Sequence, residues 1–339
     1  MTDEAINQVV NKYVKDNLSP KPAQRDFITE KYEELRGFLG GRCFQSGSYA
    51  RYTAIDPVHD LDVIYPVSDA SVKDNPSLLL RNLLANLQLK YKNSTTKIKR
   101  IYAQTHSVTI EFEGSPEETF SIDVVPAIEL AEKNDYEQPL YQVPEIVKLN
   151  KHNREERYKN ASTNPIGWIK SDPRGYVQAA YELNDLNANF RHATKLLKGW
   201  RHACKIAYGD SFRLKSFHLE QIVYAYFVEN PGCTTVEAVI DCLAALPGDI
   251  NEPQFTDRAD ATRYIDEYVA GLSRDERQLI LRLQAEAFSC VRQIPASTDE
   301  QAIIHCLESL ITVDKQSSMT PVFAAPSPRS VAPHQPWAC

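Results

Sequence analysis

Several things are missing from this sequence, and each absence removes a class of protein. Its seven cysteines (positions 43, 204, 233, 242, 290, 306 and 339) are scattered, odd in number and without a Cys-x-x-Cys pair. Neither a disulfide framework nor a zinc knuckle is expected, and reduced thiols fit better. No uninterrupted apolar stretch approaches the roughly 20 residues that a membrane-spanning helix needs. The acidic start, Met1 to Val10, lacks the basic flank and apolar run of a signal peptide. Excess positive charge is absent too. The formal net charge of −7 argues against attachment to nucleic acid or anionic membrane through bulk charge, and leaves room only for a local basic pocket. Internal repeats are not seen. What remains is 42% hydrophobic and 24% charged, ordinary for a globular protein, and 339 residues suffice for two domains or one bilobal unit. A cytoplasmic protein without membrane, zinc or stable DNA binding is expected.

The first half reads as mixed α/β. Residues 20 to 39 form a helix, with Pro20 and Pro22 at its start, a stripe of Ile28, Tyr32, Leu35 and Leu39, and Gly40-Gly41 as the stop. Strand patterns follow at 42 to 46 and 61 to 67, then a leucine-rich helix at 76 to 91. Three more strands are expected at 97 to 103, 107 to 113 and 119 to 125, the last preceded by a Gly114-Ser115-Pro116 turn. From about 172 the chain reads as helices: 173 to 187, 189 to 208, 216 to 229, 235 to 246, 258 to 271, 274 to 292 and 298 to 312. Capping boxes are expected at Ser273/Glu276 and Ser297/Glu300. The implied division is 1–171 as a catalytic sheet lobe with its N-terminal helix, 172–312 as a helical lobe and 313–339 as a disordered Pro/Ser/Ala-rich tail. Residues 136 to 171 carry less pattern and cross between the lobes. The run Lys148 to Lys159 includes Glu155 and Glu156 and reads as a solvated surface.

The chemistry is concentrated in Gln45 to Tyr65. Gly47-Ser48 follows a strand, and Asp60-x-Asp62 enters the next one. Residues two apart on a strand share a face, so both carboxylates can meet one ion. Two acids among Leu61, Val63 and Ile64 repel one another unless a cation lies between them. Asp123, in Phe120-Ser-Ile-Asp-Val-Val-Pro126, supplies a third acid opposite a core-facing Phe120, Ile122 and Val124. Such an acid needs a hydrogen bond, a partner or a metal. Three carboxylates make an oxygen-rich site suited to Mg²⁺, and two such ions can clamp an in-line phosphoryl transfer, with Mn²⁺ as the substitute ion. Gly47 lets backbone amides approach phosphates, and Ser48 adds a hydroxyl.

This order of Gly-Ser, Asp-x-Asp and a later strand Asp resembles the nucleotidyltransferase fold of the polymerase-β type. Within it the chain resembles the CD-NTases, bacterial relatives of 2′-5′-oligoadenylate synthase and cyclic GMP-AMP synthase. Ala193-Thr-Lys-Leu-Leu-Lys-Gly-Trp200 and Leu214-Lys-Ser-Phe-His-Leu-Glu220 are similar to the family's helical-lobe signature. The resemblance implies that Lys198 and Ser216 hold the nucleotide triphosphate, with Lys195 as a helper and Gln45, Gly47, Ser48 and Thr53 on the nucleotide side. Arg191, Lys195, Lys198, His202 and Lys205 share one helix face by spacing, and Ser216 is also a candidate N-cap. One departure stands out: the family loop often runs Gly-Ser-x-x-x-Gly-Thr, and here Tyr52 replaces the second glycine while Thr53 matches. His59 and His218 read as loop and packing residues, and Trp168 and Tyr141 as core aromatics.

The resemblance implies an α+β, bilobal fold: an N-terminal mixed sheet with helices and a C-terminal helical lobe. It also implies an enzyme that joins nucleoside triphosphates, ATP among them, into a cyclic or linear oligonucleotide second messenger with release of pyrophosphate, in bacterial antiphage defence. Asp60, Asp62 and Asp123 would be the catalytic and metal-binding acids. A regulatory protein partner, or conjugation through the C-terminal tail, is part of that expectation. The competing reading is a template-independent RNA or tRNA 3′-end nucleotidyltransferase, which would call for a basic RNA-binding extension. A non-catalytic nucleotide-binding module would have no need of the full acid set.

Overall fold

The computed structural model describes residues 1–68, 75–104, 106–113, 120–146 and 166–313. The expected Gly114-Ser115-Pro116 turn, the run from Lys148 to Lys159 and the tail from 314 onward lie outside the described residues. The first element, α1 (Asp3–Asn17), was not foreseen from sequence. Thr2 caps it by accepting from the Ala5 amide, Asp3 and Glu4 occupy its first turn and Lys15 its last, which suits the helix dipole. Helix α2 (Pro22–Phe38) begins with Pro22 and ends where Gly40 and Gly41 adopt positive φ. Then come β1 (Phe44–Ser46), the single turn α3 (Gly47–Ala50), β2 (Asp60–Pro66), α4 (Pro76–Lys92), β3 (Ile98–Ala103), β4 (Val108–Phe112) and β5 (Ser121–Lys133).

The sheet runs β1-β2-β5-β4-β3, with β2 and β5 parallel and the other pairs antiparallel. Strand β5 continues past the expected end at 125. Its distal half pairs with β6 (Pro139–Ile146), which pairs with β7 (Ile166–Ser171). Leu61, Val63, Ile110, Ile122 and Val124 point to one face, where Ile28 and Leu35 of α2 and Leu80, Leu83 and Leu87 of α4 bury them. This alternation is what holds the register. A one-residue slip would drive the acids into that core.

The second half is helical: α5 (Pro173–Leu186), α6 (Asn189–Tyr208), α7 (Ser216–Glu229), α8 (Thr235–Asp249), α9 (Arg274–Val291) and α10 (Glu300–Ile311). Its core gathers Phe190, Leu197, Trp200, Phe227, Leu243, Leu283 and Leu307, and it takes in Ile6, Val10 and Val14 from α1. Helix α1 therefore packs with the helical lobe, although the first half of the chain supplies it. The Asn7 carboxamide accepts from the Thr235 amide at the start of α8, and Asn11 and Thr235 meet side chain to side chain.

Three sequence expectations need correction. No α-helix spans 258 to 271. Asp257 and Asp260 side chains accept from the Ala259 and Thr262 amides, local bonds that compete with helix, and Thr256 bridges to Tyr264 before a short 3₁₀ turn at Glu267–Gly271. Asp266 then pins this segment by accepting from the amides of Gln254 and Phe255. The Ser297/Glu300 box does not form, because Asp299 caps α10, whereas Ser273/Glu276 does, and Thr234/Glu237 forms a further box on α8. Ser216 is the first residue of α7 rather than its cap, the N-cap position being Lys215. Among the described cysteines, Cys290 and Cys306 are paired between α9 and α10, and Cys43, Cys204, Cys233 and Cys242 are free and buried. No described helix is long and apolar enough to cross a membrane.

If α1 belongs to the helical core, truncating Ile6, 2% exposed, should cost as much as a central core deletion. Ile6→Ala is expected to lower the unfolding free energy by about 2–4 kcal/mol in denaturant titration. A loss under about 0.5 kcal/mol would mean that α1 frays from the lobe.

Candidate active site

The site is built on a row of polar residues at one level of the sheet. Ser46 on β1 lies opposite Asp62 on β2, Asp62 beside Asp123 on β5, and Asp123 opposite Thr109 on β4. Every second residue along these strands shares this face, so Asp60 stands one step before Asp62, while Ile64 and Val125 continue the face as an apolar floor. Thr109 donates to Asp123 Oδ1, and Gln104 Nε2 reaches the Thr109 hydroxyl at 2.6 Å. Ligand oxygens of Asp60, Asp62 and Asp123 all lie within 4.8 Å of one another.

Burial pushes the Asp62 carboxyl up to about 7, with the charges of Asp60 and Asp123 adding to it and Arg51 and Lys198 opposing. Burial likewise raises Asp123, against the Thr109 hydrogen bond. These are hard oxygen donors crowded to the point of mutual repulsion, a set that fits a divalent cation.

Gly47 is indispensable to this geometry. Its φ is +67°, and a Cβ there would fall 1.8 Å from Asp62 Oδ2. The Gly-Ser turn is therefore laid directly against the acid. The loop then folds back through Thr53 and Ala54 amides donating to the Ser48 carbonyl at 2.9 and 3.1 Å. Tyr52, the departure from the family pattern, has φ +60°. This is the left-handed conformation, at a strain of about 1–2 kcal/mol for a residue with a Cβ. The residue is 62% exposed, and the Arg191 guanidinium sits 4.6 Å from the ring centroid.

Facing the sheet is the helical lobe, and between them lies a cleft of about 620 Å³. Asp60, Asp62, Gly47, Ser48, Lys198 and Ser216 line it together, and Asp123 stands beside Asp62 in the row. The other sequence candidates are placed differently. Gln45 pairs with Val63 on the core-facing side, and Ser46 lines the cleft in its place. Thr53 is wholly buried and donates to Glu220 Oε2 at 2.9 Å. Lys195 donates to Ser19 Oγ at 3.0 Å at the α1–α2 junction, and burial lowers its ammonium to about 8, with the charges of Arg191 and Lys198 adding to that. Tyr141 is buried, and Trp168 lies opposite Pro144 within the β6–β7 pair. His218 is buried against Tyr268 and Phe255. His59 lines the cleft, its ring 5.6 Å from that of His202.

Sequence reasoning passed over Arg51, Glu220 and Thr109. Thr109 carried a signal as the polar residue on the Asp face of Val-Thr-Ile-Glu-Phe. Glu220 was an acid inside an apolar helix. Tyr176 and Phe217, ring centroids 5.1 Å apart, supply the aromatic wall of the cleft.

A mixed sheet with two acids on one strand and a third on its parallel neighbour, faced by a helical lobe, defines the polymerase-β-type nucleotidyltransferase fold. Residues 5–145 match the family model described as the Second Messenger Oligonucleotide or Dinucleotide Synthetase domain. A cyclic AMP-AMP-AMP synthase of Escherichia coli (strain MS 115-1) is 25% identical over 138 residues, 38% of this chain and 41% of that protein, so the match spans less than half of the relative's length. Solved structures share the fold across most of the chain. CdnC of E. coli MS115-1 with ATP is 16% identical, with a TM-score of 0.67, covering 91% of this chain and 98% of that one. The CdnC:HORMA-deltaN complex gives 17% and 0.65, with 90% and 96% covered. The Vibrio cholerae cyclic AMP-GMP synthase DncV gives 17% and 0.55, with 92% and 81% covered.

Two outcomes are expected from this geometry. Gly47→Ala should displace Asp62 and lower turnover by at least about 100-fold, while thermal unfolding and far-UV circular dichroism show the sheet intact. The second concerns pH. A carboxyl raised from 3.8 to about 7 keeps in the folded state a proton that the unfolded chain has lost. Its contribution to stability is present at low pH and falls as pH rises through that window. A divalent cation replaces the proton, so Mg²⁺ or Mn²⁺ should raise Tm more at about pH 8 than at about pH 6. Calorimetry should also register proton release on binding. Equal shifts at the two pH values would exclude Asp62 as the coupled group.

Proposed function

We propose that the protein is a metal-dependent nucleotidyltransferase that joins nucleoside triphosphates, ATP among them, into a cyclic or linear oligonucleotide and releases pyrophosphate. The observation that carries this reading is the placement of Asp60, Asp62, Gly47-Ser48, Lys198 and Ser216 around one cleft, with Asp123 clustered beside Asp62. Asp60, Asp62 and Asp123 would hold Mg²⁺, as one or two ions, and the bound metal supplies charge neutralisation at the transferring phosphoryl group. Gly47 lets the loop backbone approach the phosphates, and Ser48 offers its hydroxyl. Lys198 and Ser216 hold the triphosphate from the helical lobe. Thr109 donates to Oδ1 of Asp123, and Oδ2 is the oxygen proposed to meet the nucleotide. Burial raises this carboxyl, which favours its accepting a proton from an attacking ribose hydroxyl. Tyr176 and Phe217 offer a surface for a nucleobase. Catalysis of this kind rests mainly on positioning and electrostatics.

The CD-NTase resemblance supports a second-messenger product, a role in antiphage defence, a cytoplasmic location and a regulatory protein partner, as the HORMA complex of CdnC illustrates for that relative. Each radiolabelled nucleoside triphosphate, incubated with the protein and Mg²⁺ and then treated with phosphatase, decides the reaction class. A small phosphatase-resistant product is expected with ATP. Label found only on added RNA would establish the 3′-end transferase instead. Asp62→Asn should abolish product while leaving Tm within a few degrees, since a neutral side chain removes the crowded charge.

A further inference from the structure

Glu220 lies one turn beyond Ser216 on α7, among the buried His218, Leu219, Ile222 and Val223. It is 1% exposed as a residue. Its carboxylate receives Arg51 through Nε and through Nη2 at 3.4 Å, Thr53 Oγ1 at 2.9 Å and Lys198 Nζ at 3.3 Å. Burial on its own would raise this group. The charges of Arg51 and Lys198, with hydrogen bonds from Arg51 and Thr53, outweigh that and hold it down at about 2. Two cations thus share one permanent anion, and all three residues line the cleft. Arg51 is fixed further by the Phe217 ring, 4.9 Å from its guanidinium carbon.

A bare phosphate cradle has no use for a carboxylate. An internal anion spends part of the charge that would otherwise grip the ligand, and it repels that ligand directly. An enzyme gains nothing from holding its charged product as tightly as possible, because release then limits turnover. A buried carboxylate that aims the cations and also moderates them meets both demands.

We propose that Glu220 is a positioning residue, the resident counter-anion of the triphosphate subsite. It holds Arg51 and Lys198 in place across the lobes and limits how tightly they keep pyrophosphate. This rests on the reading of the cleft as a nucleoside triphosphate site. A purely structural ion pair predicts the opposite effect on anions: its loss would let Lys198 and the loop drift, and affinity would fall.

The test is titration calorimetry of inorganic pyrophosphate and tripolyphosphate, with Mg²⁺, into the full chain and its Glu220→Gln and Glu220→Asp variants. Glu220→Gln should bind pyrophosphate at least about tenfold more tightly than the parent, a modest share of what one unit charge is worth at this range. Its KM for ATP and its kcat should fall together. Glu220→Asp keeps the charge but withdraws it by one methylene, so it should shift the same way by a smaller factor. It carries the test alone if the Gln variant does not fold. Unchanged or weaker pyrophosphate affinity in a folded variant overturns the proposal. A parent protein that binds neither anion sinks the reading of the cleft itself, and the role of Glu220 with it.

Discussion

Charge crowding in the cleft is the constraint to which the rest of the molecule answers. Three carboxylates whose oxygens lie within 4.8 Å of one another are unfavourable without compensation, and burial makes them more so. The fold offsets this in two ways. Thr109 and Gln104 hydrogen-bond the acid furthest from the loop. Arg51 and Lys198 bring positive charge from the two sides of the cleft and pull Asp62 back toward ionisation. What those charges leave uncompensated shows as an Asp62 carboxyl held up at about 7, and a bound cation would offset it. The apolar face of the same strands is what fixes this crowding in place. Leu61, Val63, Ile122 and Val124 are wholly buried, and no register shift can relieve the acids without exposing that core.

Close approach explains the loop. Gly47 has no room for a Cβ beside Asp62, so the Gly-Ser turn and the acid form one compact unit. Tyr52 carries a left-handed conformation in this loop without being glycine. A bulky side chain accepts positive φ there because the loop's own hydrogen bonds to the Ser48 and Tyr49 carbonyls dictate the path, and because its ring points outward beneath Arg191.

The lobes are joined by more than a covalent crossover. Helix α1 starts the chain yet packs into the helical core, so the segment from Leu18 to Pro22 returns from one lobe to the other. Glu220 ties α7 to the Gly-Ser loop through Arg51 and Thr53. Asp266, His218 and Tyr268 fasten the non-helical segment after α8 against the start of α7, where the Tyr268 hydroxyl accepts the Lys215 amide at 3.0 Å. Ser216 and Phe217 therefore enter the cleft from a helix start that is braced on both sides.

Much of this was legible in the residues alone. Alternation placed β2 and β5 and put Asp60, Asp62 and Asp123 off the core face, because a period of two is a local property of the chain. Helical spacing placed α2, α4 and most of the second half, and put Lys198 on a basic face. The failures share a cause as well. The 258–271 segment has helical composition, but Asp257 and Asp260 close local turns and Asp266 binds distant amides. Gln45 sits in the right motif on the wrong face, since only the pairing of Ser46 with Asp62 shows which residue looks into the cleft. Glu220 and Arg51 are 169 residues apart, and no local pattern predicts their meeting. The sequence by itself determined which residues are acidic, apolar or glycine, and hence the strands, the helices and the kind of chemistry available. Only the tertiary structure decided which acids stand at one level, which cations face them and which anion those cations share. Those are matters of strand register and lobe packing, set by the burial of side chains far apart along the chain.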